Sequence, residues 1–221
     1  GRWHAGVIDA VEIGVFALTH GADDVGRGQH VEQGATVRVD DNGSVAAYMG
    51  DDEGFEYLYK FVARKKYSRG SSAAARRRNL RLLTDGDLYV APFSGSQRPG
   101  NANLGQGAWI PLTLNGKSAV PGMTHEEVLV FTRVAADRVK GTPMDRCEDV
   151  QPNLRTGKVY VACTNNPDRG AAGEPGPDAA NPRASNKNGH IIEITERALS
   201  ANPNARYRKE VSAADVASSQ P

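Results

Sequence analysis

Residues 35–49, ATVRVDDNGSVAAYM, constrain this chain more than any other stretch. Residues 35–39 alternate, Asp40-Asp41-Asn42-Gly43 supplies a turn, and residues 44–49 return as a partner strand. Alternation sends successive side chains to opposite faces of a strand. Asn-Gly tolerates the positive φ that a tight reversal needs. The segment therefore predicts a β-hairpin, and the same punctuation recurs down the chain. Residues 56–62, EYLYKFV, form the strongest strand signal, with Tyr57, Tyr59 and Phe61 on one packed face. Residues 87–93, 108–114, 158–164 and 190–195 read as further short strands.

One helix interrupts this pattern. Thr124-His125-Glu126-Glu127 has the form of a capping box, with Thr124 as the cap and Glu127 reaching back to it. Val128, Phe131, Ala135 and Val139 then make an apolar stripe, and Gly141 and Pro143 end it. Residues 68–78 and 167–188 read as unstructured. The second segment is dense in Gly, Pro, Asn and Asp and too long for an ordinary turn, which makes it a candidate functional loop. Residues 200–221 are small and polar and read as a loosely held tail. With 24 Gly and 12 Pro in 221 residues, the chain is a turn-rich, all-β single domain or a large part of a bigger one. A sandwich, a barrel and a propeller all fit, and no internal repeat is visible.

Composition narrows the function classes. The net charge of +1 gives no general pull toward nucleic acid or membrane. The basic runs Arg64-Lys65-Lys66 and Arg76-Arg77-Arg78 lack interleaved aromatics and read as solvated surface, not a nucleic-acid patch. No stretch approaches the ~18 apolar residues of a membrane span. The chain opens at Gly1-Arg2-Trp3 with no initiator methionine or signal peptide, as if cut from something longer. Cys147 and Cys163 have no CxxC spacing, so neither a disulfide framework nor a zinc site is expected.

Four stretches together resemble one family: GATVRVDDNGSVAAYMGDDEGFEYLYKFV (34–62), GDLYVAPF with GAWIPLT (86–113), TPMDRCEDVQPNLRTGKVYVACTNN (142–166) and NPRASNKNGHIIEI (181–194). Their order and spacing resemble the PhoX-type alkaline phosphatases, with YMGDDE and MDRxED the most specific motifs. The resemblance implies a β-propeller with an iron–calcium cluster in its channel, hydrolysis of small phosphate monoesters, and export to the periplasm or medium. It also implies a monomer when full length. Members are about twice this length or more, so the chain would form a partial ring of antiparallel blades with one helical insertion.

The resemblance also directs attention to particular residues. Arg146 and Glu148, two apart on an extended segment, would share a face while Cys147 packs on the other. The pair suits either a surface salt bridge in a turn or a site, in which Arg146 would grip substrate phosphate through its planar fork. Glu148 would ligate metal, since calcium and ferric iron accept carboxylate oxygen. Glu32 aligns with a glutamate that the family places before the first of these strands, and it would converge with Glu148 on the cluster. Two features depart from the family: the upstream Cys-Glu-Glu stretch is missing, and the histidine before Glu32 is displaced by one, as His30-Val31-Glu32. Asp51-Asp52-Glu53 suits either a solvated turn or calcium binding, and Asn181, Arg183 and Asn186 either a plain loop or a pocket mouth. His190, at a strand start, reads as a packed histidine. A non-catalytic propeller scaffold and a calcium-dependent propeller lactonase or esterase are the alternative functions.

Overall fold

The computed structural model describes residues 34–95, 103–196 and 206–212. The first hairpin forms as its sequence predicts. β1 (Ala35–Val39) pairs antiparallel with β2 (Val45–Gly50). Asp40 organises the turn, its Oδ1 accepting from the amides of Asn42 at 2.9 Å and Ser44 at 2.8 Å. Gly43 carries the positive φ, 78°, that a side chain would resist.

β3 (Leu58–Ala63) and β4 (Gly86–Val90) extend this sheet, and β7 (Ile110–Pro111) closes it in the order β1-β2-β3-β4-β7. The expected strand over 108–114 is broken. Trp109 and Leu112 turn into the interior, and β8 (Thr113–Leu114) leaves to pair with β9 (Lys117–Ser118) around Asn115 and Gly116, both at positive φ.

The second sheet is also antiparallel. It comprises β10 (Cys147–Pro152), β11 (Val159–Cys163), β12 (His190–Glu196), β13 (Arg206–Ser212), β6 (Asn103–Ala108) and β5 (Ser94–Gly95), in that order. β13 lies inside 200–221, the segment whose small polar residues read as a loose tail; within the run RYRKEVS, residues 207–212 pair with β12 and residues 206–211 with β6.

Every residue of β2 and β3 is buried, so their alternation sorts side chains between two cores. Ala46, Tyr48, Leu58 and Val62 face the second sheet, meeting Val150, Val159, Val161, Ile192 and Ile194. Ala47, Met49, Tyr57, Tyr59 and Phe61 face the helical side with Val128, Ala135 and Ala136. A lysine lies within the first core. Lys60 is 1% exposed and reaches Glu196 Oε1 at 2.7 Å. Tyr48 and Trp109 also donate to that carboxylate, leaving neither charge unpaired. The described residues thus hold two stacked antiparallel sheets, a two-stranded β8–β9 ribbon and no closed propeller ring.

The helical content corrects the expectation of a single insertion. Among the described residues there are three α-helices: α1 (Ala73–Asn79), α2 (His125–Val130) and α3 (Thr132–Arg138). α1 falls in the stretch read as unstructured. Its Ala-Arg run favours helix, Ser72 caps the amide of Ala75 at 3.1 Å, and Asn79 bonds both backbone groups of Ser68. The predicted helix over 124–139 does carry its capping box at Thr124 and Glu127. It splits at Phe131, whose φ of −113° and ψ of 53° are not helical. The Thr132 hydroxyl bonds back to Val128 O at 3.0 Å, a competition that bends helices.

Candidate active site

The two motifs that dominate the sequence meet where β10 crosses the end of β2. Small residues make the crossing possible. The amide of Gly50 donates to Gly34 O, the amide of Gly34 to Glu148 O and the amide of Cys147 to Asp51 O, each at 3.0 Å. A Cβ on Gly34 would lie 2.5 Å from Glu148 O, and one on Gly50 would overlap the carbonyl of Cys147. Glycine at both positions is what lets backbone approach backbone here.

The three acids after Gly50 take three different roles. Asp51 turns inward, is 4% exposed, and receives Arg133 of α3 in a two-pronged contact: Nε to Oδ2 and Nη2 to Oδ1, both 2.9 Å. Asp52 faces Arg146. The Arg146 Nη2 lies 3.2 Å from Asp52 Oδ2, and its Nε donates to Asp52 O at 3.0 Å. Glu53 is exposed and bonds the amide of Gly54. The segment is neither a plain solvated turn nor a cluster of ligands: two of its acids anchor arginines.

Arg146 has φ 47°, in the left-handed region that non-glycine residues rarely adopt. Its guanidinium also donates to Asn165 Oδ1 at 3.2 Å, and its side chain stays 37% exposed. The expected alternation through Arg146, Cys147 and Glu148 is therefore corrected in part. Cys147 does pack, fully buried. Arg146 precedes the strand, and a register shift between Cys147 and Asp149 leaves both Glu148 and Asp149 exposed. The Glu148 carboxylate has no hydrogen-bond or ion-pair partner among the described residues. It still acts on its neighbour: the Asp52 carboxyl is raised, first by burial and then by Glu148, against the pull of Arg146.

Beneath Arg146 lies a hub that sequence reasoning missed. Asp145 and Arg169 are each 0% exposed and pair at 2.7 Å. Asn166 donates to that same Asp145 oxygen, Oδ1, at 3.1 Å, Asn186 donates to Oδ2 at 3.0 Å, and Asn181 Oδ1 accepts from the Asp145 amide at 2.9 Å. Arg169 stacks 4.9 Å over the ring of Phe55. Segment 167–188 has no helix or strand, yet it folds around this arginine. Asn181 and Asn186 line the interior, not a pocket mouth. His190 packs as expected, its Nδ1 3.3 Å from Asn186 Nδ2. The signal available in the sequence was a set of asparagines, at 166, 181 and 186, scattered around Arg169 in an otherwise patternless loop.

Glu32, and with it the expected convergence on Glu148, lies outside the described residues. Among the described residues, no group of three or more His, Cys, Asp or Glu side chains could hold a metal ion. Glu148 is a hard oxygen donor open to a cation, but Asp51 and Asp52 are committed to arginines. A metal here needs further donors beyond these residues.

Comparison with known proteins places this geometry. Residues 16–220 match the family described as Alkaline phosphatase PhoX. Among solved structures, Pseudomonas fluorescens PhoX in complex with vanadate, a transition state analogue, matches at 36% identity with a TM-score of 0.68. That match covers 80% of this chain and 30% of the solved one, so the chain spans about a third of that relative's length. A search of curated proteins finds no match. The YMGDDE and MDRCED segments that meet at Gly50 and Cys147 lie within the matched residues, and the chain belongs to the PhoX alkaline phosphatase family.

Proposed function

We propose that this chain contributes part of the active site of an exported, periplasmic or secreted phosphatase that hydrolyses small phosphate monoesters with bound calcium and iron. The observation that carries the reading is the placement of Arg146 beside Glu148. A half-exposed guanidinium, fixed by a left-handed backbone, stands next to an exposed carboxylate with no partner among the described residues. The vanadate named with the solved relative is a mimic of phosphoryl transfer in that protein, and fits this chemistry. The two stacked antiparallel sheets are compatible with adjacent blades of a propeller. The near-zero net charge suits a monomer acting on small substrates, not on nucleic acid or membrane.

Arg146 binds two oxygens of the phosphoryl group, exchanging part of its contact with Asp52 for the substrate. Asp52 holds the guanidinium in place between turnovers, itself fixed by Thr164 at 3.3 Å. Glu148, with Glu32 two residues before Gly34, would supply carboxylate oxygens to the cations, whose positive charge would offset that of the phosphoryl group and favour the attacking nucleophile.

The test uses the full-length protein: calcium and iron are measured after purification, and hydrolysis of p-nitrophenyl phosphate is followed before and after chelation. Bound calcium and iron, with activity that chelation abolishes, supports the reading. Metal-free protein that stays inactive when both ions are supplied overturns it in favour of a non-catalytic propeller scaffold.

A further inference from the structure

Cys147 opens β10, Cys163 closes β11, and the two are register partners. The residues beside them bond to each other, Thr164 N to Arg146 O at 2.9 Å, while the Cys147 amide turns away to Asp51 O. That is the pattern of a non-hydrogen-bonded pair in an antiparallel ladder, where Cα atoms approach to ~4.5 Å and side chains stand closest. A disulfide requires Cα atoms about 4.4–6.8 Å apart. The two sulfurs lie 3.4 Å from each other, both are buried, and the chain has no third cysteine. The phosphoryl chemistry proposed above uses neither thiol.

We propose that Cys147 and Cys163 become a cross-strand disulfide when the protein folds under oxidising conditions, tying β10 to β11 between Arg146 and Glu148. The oxidant is a small-molecule disulfide such as oxidised glutathione. One cysteine thiolate attacks it, forming a mixed disulfide and releasing one glutathione thiolate. The second cysteine, losing its proton, attacks the protein sulfur of that mixed disulfide and releases the other. Two protein thiols are oxidised by two electrons, one glutathione disulfide is reduced to two thiols, and the two protons leave on them. Burial places the exchange during folding, before β10 settles on the core. In the reduced fold the hydrogen bond with Cys147, aided by neighbouring His190, lowers the Cys163 thiol from its ordinary range against the effect of burial.

This inference does not rest on the phosphatase reading. Full-length protein is prepared twice, once by export into an oxidising compartment and once reduced and then held in glutathione redox buffer. Each sample is alkylated in denaturant, so burial cannot hide a free thiol, and digested for mass analysis. The expected result is a linked pair of peptides containing Cys147 and Cys163, two hydrogens lighter than the reduced pair, with neither thiol alkylated. Reductant should lower Tm on the order of 5–10 °C, as expected for a bridge closing a loop of this size. Cys163→Ala should abolish that response. Alkylation of both cysteines in both samples, or linkage of either to a different cysteine, overturns the proposal.

Discussion

Asp145 Oδ1 and Arg169 Nε lie 2.7 Å apart, and neither side chain reaches solvent. The carboxylate belongs to the residue immediately before Arg146, so the pair anchors the backbone that presents the half-exposed guanidinium. Arg169 Nη2 also donates to Pro143 O at 2.9 Å, holding the segment from both sides. Removing one partner strands the other charge in the interior. Arg169→Met should therefore cost about 3–5 kcal/mol, read as a lowered midpoint in urea denaturation. A loss well under 1 kcal/mol would mean that Asn166 and Asn186 satisfy Asp145 without the arginine.

Glu56 gives stability a pH dependence. Burial pushes its carboxyl from 4.5 up to about 7, against the pull of Arg133, whose Nε is 3.7 Å from Oε2. The folded state thus holds this proton more tightly than the unfolded chain. The stabilisation is fully present below pH 4.5 and lost as pH rises through about 7. Glu56→Gln should be more stable than the parent at pH 8, on the order of 1–3 kcal/mol, and should flatten the fall between those two values. Denaturation at a series of pH values checks this. Equal stability of parent and variant at pH 8 would contradict it.

What the sequence revealed and what it hid divide along contact range. Asp40 to Gly43 and the Thr124–Glu127 box act within four residues, and both formed as their local chemistry required. The facing of Tyr57, Tyr59 and Phe61 followed from strand alternation. The interactions that build the site span far more chain. Asp51 meets Arg133 across 82 positions, Asp52 meets Arg146 across 94, and Asp145 meets Arg169 across 24. No periodicity carries such pairings, so Asp51 and Asp52 read as turn acids or calcium ligands, not as arginine partners, and Arg169 did not stand out at all. Family motifs singled out Arg146 and Glu148 as candidates. They did not reveal the left-handed backbone at Arg146 or the bulge after Cys147, which replaced simple alternation. α1 was hidden for another reason: its arginines read as a solvated run, while Ser72 and Asn79 close the helix by local bonds.

Gly50 tests whether the crossing of the two sheets needs close backbone approach. Its φ is ordinary, so the substitution isolates the steric term. In Gly50→Ala the new methyl meets the carbonyl of Cys147, a backbone group that cannot swing aside as a side chain would. Overpacking of this kind costs about 1–3 kcal/mol. Because the displaced Cys147 lies between Arg146 and Glu148, phosphatase activity of the full-length protein should fall further than the loss of folded protein explains. Unchanged stability and turnover would show that β10 can retreat without consequence.

Arg146→Lys separates a substrate-binding role from a structural one. In the resting site Arg146 spans Asp52 and Asn165 with three nitrogens, and lysine can reproduce at most one of those contacts at a time. The pair with Asp52 is partly exposed, so its loss alone should cost stability little, within about 1 kcal/mol. A fork that grips phosphoryl oxygens in the transition state is a different matter: removing one such donor typically lowers turnover by ~10²-fold. The expected outcome in the full-length protein is a nearly unchanged Tm, unchanged calcium and iron content, and a drop in kcat of that order. Glu148→Gln should lose metal together with activity, since the amide is a poorer ligand than the carboxylate for a hard cation. Near-parental turnover in Arg146→Lys, with metal intact, would reassign Arg146 as the ion-pair partner of Asp52 and MDRCED as a segment that joins the two sheets.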